Sequence, residues 1–482
     1  MNFELTPQQK AVQQSARQFA QTVLQETVLE DDAAGRFPEE AYKKMGEMGF
    51  VGLPFSKEYG GQGGDYLSYV LALEEISKIN SSVGIAYSVC TSLYSGALIN
   101  DGNEEQKKKY LPEVLSGKKM GSFCLTEPDA GSDAAGCKTT AIWNGKEYIL
   151  NGTVIVADGG RLNIPAGTTI KAREGFSSYL LVAQGGKLYA DGTADKPVIF
   201  TANTTSPVSG YWGGIIINGK APISGQNADK SDTGLTEIDN SFKYGGNVDD
   251  DNSGSLTYVQ ICYAGARSTA DIEHNGLTLN GVGSGTKIEN IYVLESADDA
   301  IEFFGGTVNV TNLLAVNPDD DMFDFTQGYS GTLKNCYGVW ENGYTSTEAD
   351  PRGIEADGNL DGLYPTHLRQ SDFRVENMTI VNNAADKADN VDRMQDVIKI
   401  RRGAKAAIVN ALVKGTGGSI DLIDMSDSKG AGNADSSVSI TNSLNLTGKK
   451  LNGTLNTFAE PAGNTGTDVS LFTWTGYNFS SL

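Results

Sequence analysis

The residues best suited to chemistry in this sequence are two acidic runs 22 residues apart. Asp298 and Asp299 stand in ADDAIEFFGG, and Asp320 and Asp321 stand in DDDMFDFTQG, with Asp319 and Asp324 beside them. Paired carboxylates of this kind can coordinate Ca²⁺ or carry acid–base chemistry at a glycosidic bond. A third run, Asp249, Asp250 and Asp251, offers the same groups in a turn-rich setting. Arg267, Glu273 and His274 form a further polar group, and His367 and Arg369 another, in a loop after Tyr364 and Pro365. Neither matches a nucleophile–base motif. Tyr211, Trp212, Trp340 and Tyr344 can either stack on sugar rings or close an apolar core.

Other chemistries are excluded by what is scarce. The sequence has 2 histidines and 5 cysteines in 482 residues, and the cysteines show no CxxC spacing, so neither a multi-histidine metal site nor a disulfide scaffold fits. The 60 acidic against 38 basic residues give a net charge of -22, which opposes binding to a phosphate backbone. Nucleic acid is therefore not an expected partner. No basic segment leads into an apolar one at the start, and no run of about 20 apolar residues is read later, so integral membrane contact is not expected.

Two kinds of element must position these groups. Up to about residue 150 the pattern is helical. Thr6, Pro7 and Gln9 form a capping signature ahead of the stripe Val12, Ala16, Phe19, Val23 and Leu24. Further helices are predicted after Pro38, around Leu67 to Ile79, around Val83 to Leu98, and from Asn103 onward, where Pro112 should bend or interrupt the last of them. After about Thr153 short β-branched runs alternate with Gly, Asn and Asp. IENIYV, VNVTNLLAV and GTLKNCYGVW recur at the spacing of the acidic runs, which predicts the stacked coils of a parallel β-helix. The stretches GQNADKSDTGLTEIDN and ENGYTSTEADPRGIEADGNLDG should project as loops. Most of the acidity lies in this second part, where it reads as a solvated surface.

The helical part resembles the N-terminal part of acyl-CoA dehydrogenases, especially short-chain members. The resemblance runs from ELTPQQKAV through LPFSKEYGGQGGDYLSY to CLTEPDAGSDAAGCKTTAIWNGKEYILNGT. It implies FAD as cofactor, with Cys124, Leu125 and Thr126 approaching the flavin and Ser132 holding the acyl-CoA. Where that family continues with a WITN-like or FITN-like strand, this chain reads VIVADGG. The catalytic carboxylate and the C-terminal helical bundle are not found downstream. FAD in functional stoichiometry and dehydrogenase-like oligomerisation are accordingly not expected.

The second part resembles secreted or surface-attached right-handed β-helix proteins of Bacteroidota-like bacteria, through GGRLNIPAGTTIKA, GYWGGIIINGKAPI and HNGLTLNGVGSGTKIENIYV. It implies a pectin-lyase-like fold, with a glycan as the natural partner. The two resemblances pull localisation apart: the first implies the cytoplasm and the second export.

The sequence thus predicts a mixed multidomain chimera whose two grammars meet within YILNGTVIVADGG. Residues 1–120 are expected as a dehydrogenase-like helical domain, 121–153 as the truncated start of a middle β-domain, and 154–482 as an all-β right-handed parallel β-helix. The expected function is a non-enzymatic, surface-type or glycan-binding scaffold fused to an incomplete dehydrogenase fragment. The alternatives are polysaccharide lyase or glycoside hydrolase activity in the β-helix, and residual FAD-dependent dehydrogenation. Asp298, Asp299, Asp320, Asp321 and Asp324 are the candidate glycan or cation residues.

Overall fold

A computed structural model of the chain describes residues 4–123, 140–143, 148–269, 272–385 and 394–481. It divides into two compact units, Met1–Cys137 and Lys138–Leu482.

In the first unit the Thr6 hydroxyl accepts the Gln9 backbone N–H, and the Gln9 side chain accepts that of Thr6, starting the helix Pro7–Phe19. Its stripe buries Ala16, Phe19 and, across a π-helical turn, Leu24 against Tyr42, Met45, Tyr69 and Tyr87. Gly46 lies inside the helix Glu39–Glu47 because a Cβ there would fall 2.3 Å from the Cα of Gly117. An Asn103–Gln106 capping box opens the helix Glu104–Leu115, which continues through Pro112 without the expected interruption. The hydrogen bond lost at Pro112 belongs to the carbonyl of exposed Lys108, where water replaces it at little cost. The helical run Ser81–Asp101 is long and apolar enough by composition to cross a membrane, contrary to the sequence reading. Here it packs Val83, Tyr87 and Cys90 into the core of the unit.

The second unit is the right-handed parallel β-helix. Among the described residues it has a 14-stranded sheet and a 10-stranded sheet, and strands of successive coils pair in parallel. In the first sheet Val310 pairs with Leu333, Leu333 with Val375, and Val375 with Ile408. In the second, Ile217, Leu279, Phe303, Phe325, Ala356 and Ile400 stack in register and are all buried. Phe303 and Phe325 lie parallel with ring centroids 5.1 Å apart. A hairpin, Thr140–Trp143 with Tyr148–Asn151, heads the first sheet, and Tyr148 to Leu150 pair in parallel with Ile170 to Ala172. The stretch expected as a projecting loop after Trp340 returns to the second sheet as the strand Ile354–Asp357.

Strands of the first sheet bend at one asparagine per coil. Asn290, Asn312, Asn335, Asn377 and Asn410 have φ of 59, 60, 55, 55 and 57°, the left-handed region that asparagine tolerates better than other side-chain-bearing residues. From Asn312 on, each amide nitrogen donates to the oxygen of the preceding asparagine at 2.8 to 2.9 Å, so half-buried amides satisfy one another along the stack. Beyond Thr467, the 3-10 segment Val469–Thr475 and Phe479 lie on the outer face of this sheet. They cover Tyr292, Leu314, Val316, Tyr337, Val339 and Val381.

Asn335→Ala strands the amide partners on both sides and places alanine at positive φ, so a loss of about 2–4 kcal/mol is expected in urea unfolding followed by tryptophan fluorescence. Asn335→Gly relieves only the backbone and should lose less; equal losses would remove the backbone part of this account.

Candidate functional site

Strand alternation sends every second residue of the second sheet outward. The inward Phe303 and Phe325 are therefore neighbours of an outward row in which Thr278, Glu302, Asp324, Glu355, Lys399 and Asp424 pair coil by coil. The turns leading into the strands add Asp298 and Asp299 in one coil and Asp320 and Asp321 in the next. Asp299 Oδ1 accepts the backbone N–H of Asp321 at 2.9 Å, fixing one turn on the other.

These positions bring the five predicted aspartates together. Carboxylate oxygens of Asp298, Asp299 and Asp320 lie within 4.8 Å of one another, as do those of Asp299, Glu302 and Asp324. The expected solvated surface is not what forms: Asp298, Asp299 and Asp321 are buried, at 8%, 6% and 2% exposure. The stacked turns and the loops over this face exclude water from them. One oxygen each of Asp320, Asp321 and Asp324 is buried without a hydrogen-bond partner. Burial, then neighbouring carboxylates, push Asp298, Asp299 and Glu302 well above the usual carboxylate range. Burial likewise pushes Asp320 and Asp324 up to about 7.

Cations from later coils border the cluster. Arg352 pairs with Glu355, with Asp350 at 2.5 Å and with Asp396 at 3.6 Å, and reaches Asp321 at 3.9 Å. Arg401 pairs with Glu355 and, at 2.7 Å, with Asp357, which Arg402 holds from the other side at 2.5 Å. Burial, followed by the charges of Arg352 and Arg402, pushes Arg401 down to about 10. A further carboxylate group, Asp396, Asp421 and Asp424, is neutralised in part by Lys399.

Beside the cluster lies a cleft of about 500 Å³, within the range of small-molecule sites. Thr278, Asn280 and Glu302 line it from the sheet, joined by Asn275 and Glu273, while Glu237, Tyr244 and Leu360 come from the connecting segments. Asn275 and Asn280 are 4% and 2% exposed, and their side-chain oxygens have no hydrogen-bond partner.

The other sequence candidates divide between site and scaffold. Arg267 and Glu273 do meet, at 3.2 Å, and Arg267 also pairs with Glu348. His274 is wedged between Phe176 and Tyr179, with Nε2 3.0 Å from the Phe176 carbonyl, and burial pushes it down to about 4. Such a neutral ring is structural. Asp249 pairs with Lys230 at 2.8 Å, Asp251 accepts the Lys220 backbone N–H, and Asp250 is exposed, so this run builds a turn. Arg369 pairs with Asp232, and His367 stacks on Tyr364 at 4.6 Å. Trp212 and Trp340 are core residues whose indoles donate to the carbonyls of Cys262 and Pro318, with Tyr211 and Tyr344 packed against the same core. Cys124, Leu125, Thr126 and Ser132 lie outside the described residues.

Several site residues escaped the sequence reading. Glu302 pairs with the predicted Asp324 at the spacing of the acidic runs, so its alignment was available as a signal. Arg352, Glu355, Arg401 and Asp424 follow insertions of unequal length and carry no such period.

Fold and cleft together define a parallel β-helix with an acidic site on the outer face of one sheet. The chain belongs to the family described as Pectate-lyase like beta helix domain, which matches residues 136–475. Residues 6–118 match a second family, the N-terminal domain of acyl-CoA dehydrogenase. The chain is similar to the short-chain-specific acyl-CoA dehydrogenase of Clostridium acetobutylicum, 39% identical over 43% of this chain and 55% of the relative. A probable acyl-CoA dehydrogenase of Bacillus subtilis is 48% identical over 32% of this chain and 40% of its own length. Among solved structures, butyryl-CoA dehydrogenase from Megasphaera elsdenii matches at 40% identity and a TM-score of 0.30, over 32% of this chain and 41% of that one. The chain thus spans about half or less of these relatives and joins an incomplete dehydrogenase to the β-helix.

The cluster sets a pH dependence. Carboxyls raised from 3.8 to about 7 bind more protons folded than unfolded, so their contribution is full below about pH 4 and is lost as the pH climbs through about 7. Between about pH 5 and 8, in chelator, the thermal midpoint of the β-helix is expected to fall; a midpoint rising over this range would contradict the raised values.

Proposed function

We propose that the β-helix is a glycan-active enzyme that seats a polysaccharide strand across the outer face of its second sheet and hydrolyses it there. The observation that carries this reading is the Asp299, Glu302 and Asp324 group, with Asp299 buried and the other two half-buried, opening through Glu302 onto a cleft of about 500 Å³. Glycosidic hydrolysis needs one carboxyl that holds its proton and one that is charged, and environment sets the two roles. Burial keeps the proton on Glu302, which donates it to the leaving oxygen. Glu273, beside Arg267 and lining the same cleft, supplies the second carboxylate, which activates water. The family's pectate-lyase-like description supports a polysaccharide as substrate class. The helical unit contributes no step.

A second reading, cation-assisted elimination on a uronate chain, draws on the unpartnered oxygens of Asp320, Asp321 and Asp324, which suit Ca²⁺. It also draws on Arg401, pushed down to about 10 and so nearer to the range of a base.

Incubation with a panel of neutral, basic and acidic polysaccharides separates the readings. Hydrolysis yields new reducing ends without unsaturation and survives chelation, whereas elimination yields unsaturated ends and requires calcium. Glu302→Gln is expected to lower hydrolysis by about 100-fold or more, the range seen when a general acid is removed. No new ends of either kind from any member of the panel would refute both readings.

A further inference from the structure

Resting on the glycan reading of this cleft, we infer that its substrate is an amino sugar, a glycan bearing free ammonium groups, and not a uronate. The buried polar atoms of the cleft lining that lack a partner are acceptors. Asn275 spends its amide N–H groups on Thr278 Oγ1 at 3.2 Å and Glu302 Oε2 at 2.6 Å, which leaves its buried oxygen without a partner. Asn280 donates one amide N–H to Asn218 at 2.9 Å and likewise leaves its buried oxygen without a partner, and Asn218 in turn donates to Thr236 at 2.8 Å. The Tyr244 hydroxyl donates to Gln327 at 2.6 Å and so gives its proton away from a ligand.

Charge follows the same sign. Glu237, Glu273 and Asp361 line the cleft beside Glu302, and among the described residues no lysine, arginine or histidine does. A uronate would bring an acceptor to acceptors and a negative charge to negative charges. A sugar hydroxyl meets only part of the demand. An ammonium group supplies three donors, accepts nothing and carries the opposite charge, so it completes Asn275 and Asn280 while pairing with the carboxylates.

The test is calorimetric titration of the full chain, in chelator at about pH 6 and low salt, with tetramers of glucosamine, N-acetylglucosamine and galacturonate. The glucosamine tetramer is expected to bind at least about tenfold tighter than its acetylated form, with affinity falling as salt rises. Glu237 is an exposed wall residue whose replacement should not disturb folding, and Glu237→Gln should weaken glucosamine binding severalfold while leaving the acetylated tetramer unchanged. Equal affinity for the two tetramers, or tighter galacturonate binding once calcium replaces chelator, overturns the amino-sugar assignment and leaves the glycan reading standing. Absence of binding to all three, together with no turnover on the polysaccharide panel, removes both.

Discussion

Parallel pairing in register is the constraint on which the rest of the β-helix depends. Each strand finds its partner one coil away, so a residue type placed once is placed again almost directly above itself, about 4.8 Å on. For apolar residues the repetition is favourable, and Phe303 stacks on Phe325. Amides profit too, because an asparagine can donate to the one below and accept from the one above. Carboxylates gain nothing from it. Like charges opposed across strands repel, and Glu302 over Asp324 is tolerable only with a proton, a cation or a guanidinium close by.

The protein answers that repulsion differently along the sheet. Where Glu355, Asp357 and Asp396 stand, Arg352, Arg401 and Arg402 meet them, and the row becomes an ion-pair network. Toward the earlier coils no such cation reaches Glu302 among the described residues, and burial pushes its carboxyl well above the usual range, which favours the protonated form. Leaving buried oxygens unpaired costs stability that the surrounding stack must supply. That imbalance is the ground for seating the proposed ligand at the early coils.

Much of this was legible in the sequence, for a physical reason. Regular coils have a regular period, so the acidic runs, the strands IENIYV and VNVTNLLAV, and the Phe303 and Phe325 pair could be aligned before any fold was known. The Thr6 cap was legible because a helix start is local. What depends on distance was not. Arg352 and Arg401 reach the site only after insertions that erase the period, and GIEADG resembled a loop because its strand is short and flanked by turns. The aspartates seemed solvated because sequence registers charge but not the segments that fold over it. Pro112 seemed a breaker because the exposure of the Lys108 carbonyl is a tertiary fact.

The C-terminal segment changes how such a stack behaves as a whole. A plain solenoid is held by nearest neighbours alone and can fray from its end one coil at a time. Here Phe472 and Phe479 rest on residues from the strands Lys287–Leu294, Val310–Val316, Thr332–Trp340 and Asp372–Asn382, and the Tyr477 hydroxyl is bonded to Glu341 at 2.8 Å. Those four coils share one clasp, so they open together or not at all. The clasp is synthesised after all four strands, and until it arrives Leu314, Val316 and Val339 lack the cover it provides.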